Sequence, residues 1–97
     1  MDLTGRTALV TGASRGIGPH IASALAGRGM NLVLTGRSES ELEAVGAEQR
    51  KLGVRVVTVV TDLLDADART LLVGAAEREF GGVDVLVNNA GGDLRSA

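Results

Sequence analysis

The 97-residue sequence predicts an α/β fold, in which a doubly wound parallel sheet carries helices on both faces. Four short apolar runs alternate with three helix-type patterns, and the connections between them are short. A glycine-rich turn joins the first apolar run to the first helical pattern, as in parallel α/β sheets. Because strand-helix-strand crossovers are right-handed, this alternation predicts four parallel strands covered on both faces. The order expected for them is 3-2-1-4, one of the common orders of doubly wound sheets, of which this would be a partial example.

The first strand is predicted over residues 6–11, because its short apolar centre ends directly at the glycines. The first helix is predicted over about residues 17–28. Pro19 is tolerated in its first turn, since the missing N–H would have no helical partner, and Gly29 supplies the stop. The residues predicted to share the buried face of this helix are Ile17, Ile21, Ala24 and Leu25.

The second strand is predicted over residues 31–35, and a second helix follows it. Ser38 and Glu41 have the spacing of a capping box, which marks the start of the helix, and Gly53 marks its end. Gly46 lies in its middle and is expected to weaken the helix by about 1 kcal/mol relative to alanine. Its predicted apolar stripe consists of Leu42, Val45 and Leu52.

Residues 54–60 are rich in β-branched side chains and are predicted to form the third strand. The third helix is predicted to begin after Asp65, an N-cap residue, and to end at Gly81. Residues 83–87 form the fourth predicted strand, and the tail over residues 92–97 is expected to be loose. The predicted buried face of the third helix consists of Ala68, Leu72, Ala76 and Phe80.

The glycine turn after the first strand has the features of a phosphate site. Gly12 can adopt the positive φ of a tight turn, Gly16 leaves room for phosphate oxygens, and Gly18 lets the helix approach its strand. The helix then presents unpaired N–H groups and the positive end of its dipole to an anion. Ser14 is interpreted as a phosphate donor in this turn, since no base is positioned to make it a nucleophile. The alternative is a glycine-rich turn that binds nothing.

The spacing of the glycines excludes two common phosphate motifs. The strict dinucleotide fingerprint, starting at Gly16, would need glycine at position 21, where this chain has Ile21. A P-loop starting at Gly12 would need glycine at position 17, where this chain has Ile17. The remaining pattern, Thr-Gly-Ala-Ser-Arg-Gly-Ile-Gly, resembles the cofactor-binding turn of the short-chain dehydrogenase/reductase family. The resemblance spans nearly the whole chain and implies a Rossmann-type sheet. It also implies that residues 1–97 are the NADP(H)-binding, N-terminal part of a longer domain, with Ile17 among the cofactor contacts.

A second turn of small residues follows the fourth strand. With strand order 3-2-1-4, this turn and the glycine turn face the same crevice at the carboxyl ends of strands 1 and 4. The sequence there, Asn-Asn-Ala-Gly, is similar to the second signature of the family. The resemblance implies that Asp62 accepts from the adenine amino group and that Leu63 pairs through its backbone. There are alternatives to these roles. Asp62 could be a loop acid without a ligand, and Asn88 could form hydrogen bonds only within the end of its strand. The cofactor contacts implied in the second turn are Asn88, Asn89, Ala90 and Gly91.

The end of the second strand indicates which dinucleotide is bound. An NAD site usually carries an acid about 20 residues beyond the glycine turn, where it binds the ribose 2′-hydroxyl. This chain has Arg37 there, whose planar donor fork matches the oxygens of a 2′-phosphate. Arg15, inside the glycine turn, is placed to close on the same phosphate from the other side. The pair predicts NADP(H); the alternative is that both arginines are solvated surface residues.

Composition excludes several other classes of function. The chain has no cysteine, a net charge of −2 and scattered arginines, which argue against thiolate catalysis and a nucleic-acid surface. No run is apolar enough to span a membrane and the start is unlike a signal peptide, so the cytoplasm is the expected compartment. His20 is interpreted as a surface histidine, and Asp65 with Asp67 as helix-start acids rather than metal ligands. The glutamates of the second helix, Glu39, Glu41, Glu43 and Glu48, are expected to form a solvated face.

Catalysis in the family depends on a Tyr-x-x-x-Lys pair, and this chain has no tyrosine and only one lysine, Lys51. The resemblance implies that the intact protein transfers hydride to a ketone or from a secondary alcohol, as 3-oxoacyl reductases do, and is a homo-oligomer. This chain alone is expected to be inactive, as a fragment whose fourth strand would be an exposed sheet edge. Two alternatives stay open: a non-catalytic NADP(H)-binding sensor, and a structural half-domain that needs a partner.

Overall fold

A computed structural model of the chain describes residues 2–62 and 67–89. Strands and helices alternate along it, as the sequence predicts. Their bounds in chain order are β1 Thr7–Thr11, α1 Gly18–Gly27, β2 Asn31–Gly36, α2 Glu39–Arg50, β3 Val56–Val60, α3 Ala68–Phe80 and β4 Val85–Asn88. Within these ranges, no helix is long and apolar enough to cross a membrane.

The strands of the described ranges form one parallel sheet in the order β3-β2-β1-β4. β1 lies at its centre, with Ala8 opposite Leu32 on β2 and opposite Val85 on β4. All the pairings are parallel, so every strand ends at the same edge of the sheet. The predicted α/β class and strand order are therefore confirmed.

The sheet is covered on both faces, because successive β-strand residues point to opposite sides. On one face, α1 and α2 bury Ala8 and Val10 together with Leu32 and Leu34. On the other face, α3 packs Leu72 and Ala76 against Leu9 and Val33 of the two central strands. The centres of β1 and β2, residues 8–10 and 32–34, are thus continuous apolar runs, which is typical of strands with both faces covered.

The buried face of α1 differs from the predicted one. Its buried residues are Gly18, Ala22 and Ala26, with Ile21 and Leu25 partly buried against the same core. Ile17 is the N-cap residue rather than part of the helix, and 63% of it is exposed. Ala24 is also exposed. The prediction was wrong because small residues, which carry a weak hydrophobic signal, bring this helix close to the sheet.

α2 begins as predicted, with the Ser38 hydroxyl accepting from the backbone N–H of Glu41 at 3.4 Å. Leu42 is fully buried, but Leu52 is exposed because the helix ends at Arg50, before that residue. The apolar stripe of α2 therefore does not include Leu52, contrary to the prediction. Val45 is partly buried against the core.

Most boundaries shift by one to three residues relative to the sequence predictions, among them the start of β3 at Val56 rather than residue 54. The N-cap residue of α3 is Asp67, two residues after the predicted Asp65, which lies outside the described residues. Gly81 ends the helix in the left-handed conformation, with φ of 82°, as predicted. β4 begins at Val85 rather than at residue 83, since the Asp84 carboxylate accepts the Thr7 N–H at 2.8 Å.

Candidate functional site

The glycine turn connects β1 to α1 at the edge where all strands of the described sheet end. Gly12 and Gly16 have positive φ of 61° and 57°, which glycine adopts without strain. The position that a Cβ on Gly16 would occupy has no atom within 4 Å, so the turn is open on that side. The room predicted for a ligand beside Gly16 is therefore present.

Gly18, unlike Gly16, has no room for a side chain. A Cβ there would lie 2.2 Å from the carbonyl oxygen of Gly12 and 2.9 Å from backbone atoms of Ala13. Only glycine permits this approach of α1 to the end of β1, which is the role predicted for this position. The contact fixes the first turn of α1 against the loop that precedes it.

The turn leaves backbone donors unpaired. The N–H of Gly18 donates to the carbonyl oxygen of Arg15 at 2.9 Å, and that of Ala13 donates to Thr35 on β2 at 3.0 Å. The N–H groups of Gly16 and Ile17 make no hydrogen bond to any described residue. Together with the positive end of the α1 dipole, these N–H groups have the chemistry with which helix N-termini donate to anions.

The end of β4 is tied to the glycine turn by side-chain hydrogen bonds. The Thr11 hydroxyl donates to Asn88 Oδ1 at 3.0 Å, and Asn89 Nδ2 donates to the carbonyl oxygen of Gly12 at 3.0 Å. The structure thus brings the two predicted turns together, as the strand order requires. Asn88 is exposed beside the turn and Asn89 is half-buried against it.

The end of β2 lies against the same turn. A Cβ on Gly36 would come within 2.9 Å of Ser14 Oγ, so Ser14 packs directly over the last residue of β2. Arg37 follows, is exposed, and makes no ion pair with any described residue. Its guanidinium is therefore available to an anionic ligand at this edge.

Arg15 is placed differently from Arg37. Its Nε lies 3.4 Å from Oε1 of Glu41 in the first turn of α2, and both side chains are more than half exposed. From the sequence, Glu41 is expected on a solvated helix face, with no indication of this ion pair. No sequence signal links residues 26 positions apart, so only the packing of α2 beside the turn reveals it.

Asp62, the adenine contact implied by the resemblance, lies exposed at the carboxyl end of β3. The preceding N–H, that of Thr61, donates to the carbonyl oxygen of Gly36 at 3.0 Å, so this segment borders the end of β2. The other three implied contacts, Leu63, Ala90 and Gly91, lie outside the described residues.

Two further titratable side chains, His20 and Lys51, lie on the surface of the part of the chain that the structure describes. His20 is exposed, and Lys51 follows the end of α2, where its Nζ donates to Glu48 at 2.9 Å. This hydrogen bond raises the pKa of Lys51, which is the opposite of what a proton-transferring lysine needs. Within residues 2–62 and 67–89, no cluster of three side chains could hold a metal ion.

The arrangement is suited to binding an elongated anionic ligand. The glycine turn and the N-terminus of α1 lie at the centre of this arrangement. Arg37, which makes no ion pair with a described residue, lies at the end of β2, and Asn88 and Asn89 lie at the end of β4. In parallel sheets of this order, a crevice opens between the ends of β1 and β4. The described residues therefore place backbone N–H groups, a hydroxyl and an arginine where a phosphate could reach them, and the acid–base pairs among them are surface ion pairs away from the glycine turn or, at Arg15–Glu41, beside it.

Comparison with known proteins gives consistent results. The family model described as short chain dehydrogenase matches residues 6–97. Gluconate 5-dehydrogenase of Gluconobacter oxydans (strain 621H) is 45% identical over 90 residues, which are 93% of this chain and 35% of that protein. The chain thus spans about a third of the length of this relative.

Two solved structures share the fold. L-Sorbose reductase from Gluconobacter frateurii, complexed with NADPH and L-sorbose, superposes with a TM-score of 0.86 at 38% identity, over 93% of this chain and 35% of that one. An NAD⁺-bound xylitol dehydrogenase superposes with a TM-score of 0.84 at 32% identity, over 89% of this chain and 33% of that one. The fold of this chain therefore occurs both in a structure that holds NADPH and in one that holds NAD⁺.

Proposed function

The chain belongs to the short chain dehydrogenase family, and we propose that it is the NADP(H)-binding part of an oxidoreductase. Its relatives are oxidoreductases, and the solved structures that resemble it include complexes with NADPH and with NAD⁺. Because neighbours of both kinds share the fold, the choice of NADP(H) depends on residues of this chain.

The glycine turn would hold the pyrophosphate. The N–H groups of Gly16 and Ile17 make no hydrogen bond to a described residue, the space beside Gly16 is open, and Ser14 Oγ lies over the end of β2 as a further donor. Asn89 stiffens the turn through its bond to Gly12. These observations fit a phosphate group held by backbone donors at a helix N-terminus.

The 2′-phosphate would lie at the end of β2, beside Arg37. This arginine is exposed and makes no ion pair with a described residue, so a phosphate could bind it without displacing another anion. An acid at this position would repel the phosphate, whereas a guanidinium can bind two of its oxygens at once. The unpaired arginine after β2 is the observation on which the choice of NADP(H) rests.

At the other turns, the assignments follow the family resemblance. Asp62 and Leu63 would contact the adenine ring, Asn89 and Ala90 would line the adenine ribose, and Asn88 and Gly91 would be further cofactor contacts. The exposed position of Asp62 at the end of β3 and the bond that draws Asn89 onto the glycine turn support this placement.

The bound dinucleotide would supply hydride chemistry, and the chain's own residues would bind and orient it. We propose that the intact protein interconverts a ketone and a secondary alcohol, works in the cytoplasm and assembles as a homo-oligomer. Since these 97 residues contain no tyrosine, the chain alone is proposed to bind cofactor without catalysing the reaction. The chain covers about a third of its relatives' length, which fits such a role.

The proposal is tested by titrating NADPH and NADH separately into the chain by isothermal titration calorimetry. NADPH is expected to bind more tightly, and Arg37→Asp is expected to weaken NADPH binding by about 10- to 100-fold, because a charge-assisted hydrogen bond contributes about 1.5–3 kcal/mol. NADH binding should be retained or improved in this variant.

Arg69→Asp serves as the control, since it makes the same change of charge at an exposed position on α3. Equal affinity of the unmodified chain for NADPH and NADH would contradict the choice of NADP(H). Binding of neither nucleotide would favour the structural half-domain, which needs a partner to complete its site.

A further inference from the structure

We propose that Glu41 limits the affinity and preference for NADP(H) by competing with the 2′-phosphate for Arg15. The inference rests on the proposed function, because it concerns the strength of that same site. Glu41 would act as a positioning residue, through the arginine, without touching the cofactor.

The two arginines near the predicted phosphate differ in one respect. Arg37 makes no ion pair with any described residue, whereas Arg15 is engaged by Glu41, with Nε 3.4 Å from Oε1. A phosphate arriving at the end of β2 would therefore meet one free guanidinium. It would recruit the second only by replacing the Glu41 carboxylate.

The position of Glu41 is fixed by the start of α2. Its N–H donates to the Ser38 hydroxyl at 3.4 Å, which holds residue 41 in the first turn of the helix. In a complete capping box, the glutamate side chain would reach back to the backbone N–H of Ser38. Here the Glu41 carboxylate meets Arg15 instead, so the residue predicted as a helix cap connects the helix to the glycine turn.

The Arg15–Glu41 pair is weak enough to be displaced. The side chains of Arg15 and Glu41 are 65% and 51% exposed, and ion pairs at such exposure are screened by water and salt. A 2′-phosphate carries more negative charge than a carboxylate and offers three oxygens to the guanidinium. Displacement is thus favourable, but the lost ion pair subtracts from the affinity. Its removal should strengthen binding by about two- to fivefold.

Adenosine 2′,5′-bisphosphate and 5′-AMP are the probes that isolate this effect, because they differ only in the 2′-phosphate. In calorimetric titrations at low ionic strength, Glu41→Gln is expected to lower the dissociation constant of the bisphosphate by about two- to fivefold and to leave that of 5′-AMP unchanged. In an Arg15→Gln background, the same substitution should change neither constant.

Glu39→Gln is the matched control. It removes one negative charge from the same helical turn, and Glu39 makes no ion pair with a described residue. An equal gain from Glu39→Gln, or a gain from Glu41→Gln that persists without Arg15, would show a general charge effect and overturn the proposal. Far-UV circular dichroism of each variant checks that α2 is intact.

The same titrations separate this inference from the proposed function. If the unmodified chain binds the bisphosphate no more tightly than 5′-AMP, the NADP(H) assignment fails. If it prefers the bisphosphate and Glu41→Gln changes nothing, the assignment stands and only the role of Glu41 is wrong.

Discussion

Individual glycines in the turn serve different physical purposes, although the sequence motif treats them alike. Gly16 is required by its φ of 57° and has open space around it. Gly18 is required by contact, since a Cβ there would meet the carbonyl oxygen of Gly12 at 2.2 Å. Gly16 is needed for its backbone conformation and Gly18 for close packing. Substitutions at the two positions should therefore lower the free energy of unfolding by different amounts.

Gly18→Ala is expected to lower the free energy of unfolding by at least about 3 kcal/mol, because the clash is with backbone that cannot turn aside. Gly16→Ala should cost about 1–2 kcal/mol, from the left-handed conformation alone. Urea denaturation followed by far-UV circular dichroism measures both changes.

Gly27→Ala is the control for these two variants. Gly27 lies in α1 with nothing near its missing Cβ, so alanine there should stabilise the chain by about 0.5–1 kcal/mol. Equal losses at positions 16 and 18 would contradict the distinction between strain and contact.

At the scale of elements, α2 contains a glycine that the sequence marks only as a weakness. In the structure Gly46 is buried against β3, and a Cβ there would lie 3.0 Å from Cγ2 of Thr58 and 3.6 Å from Cγ1 of Val56. The missing side chain therefore lets α2 approach the edge strand. The lower helix propensity of glycine is offset by this close packing.

The methyl group of Thr58 should decide how alanine is tolerated at position 46. In a Thr58→Ser background, which retains the hydroxyl bonded to Glu43, Gly46→Ala should raise the free energy of unfolding by about 0.5–1 kcal/mol. With threonine present the gain should be smaller or reversed, because the contact at 3.0 Å is too close. A double-mutant cycle by urea denaturation measures this coupling, and identical effects in both backgrounds would contradict it.

At the scale of the whole molecule, the sheet is covered unevenly. Among residues 2–62 and 67–89, β4 pairs with β1 alone, and Leu86 of β4 is 62% exposed. Leu86 lies opposite Leu9, which α3 helps to bury on the same face of the sheet. An apolar edge strand of this kind favours association with another chain.

We expect the isolated chain to self-associate through this edge, and Leu86→Lys to reduce the association. Sedimentation velocity over a range of concentrations measures the effect, with the variant remaining nearer the monomer mass than the unmodified chain. Leu71→Lys, at an exposed position on α3, is the control and should leave the association unchanged. An unmodified chain that stays monomeric throughout would contradict this expectation.

Local signals in the sequence determined most of the fold. The continuous apolar runs of β1 and β2, the Ser38 cap and the left-handed Gly81 are short-range features, and each occurs as predicted. The strand order also agrees with the order expected for this kind of doubly wound sheet, although crossover handedness alone would allow other orders. Predictions that depended on hydrophobic periodicity were less accurate, because the small residues Ala22 and Ala26 of α1 are buried where Ile17 and Ala24 were expected.

Neighbouring residues in the sequence thus encode the class of sheet, the glycine turn and the presence of an arginine directly after β2. Which groups come together at the site depends on tertiary packing. It placed Asn89 against Gly12, Ser14 over Gly36, and Glu41 beside Arg15. These contacts join residues far apart in the chain, and their distances depend on how closely the helices pack on the sheet, which no local pattern specifies.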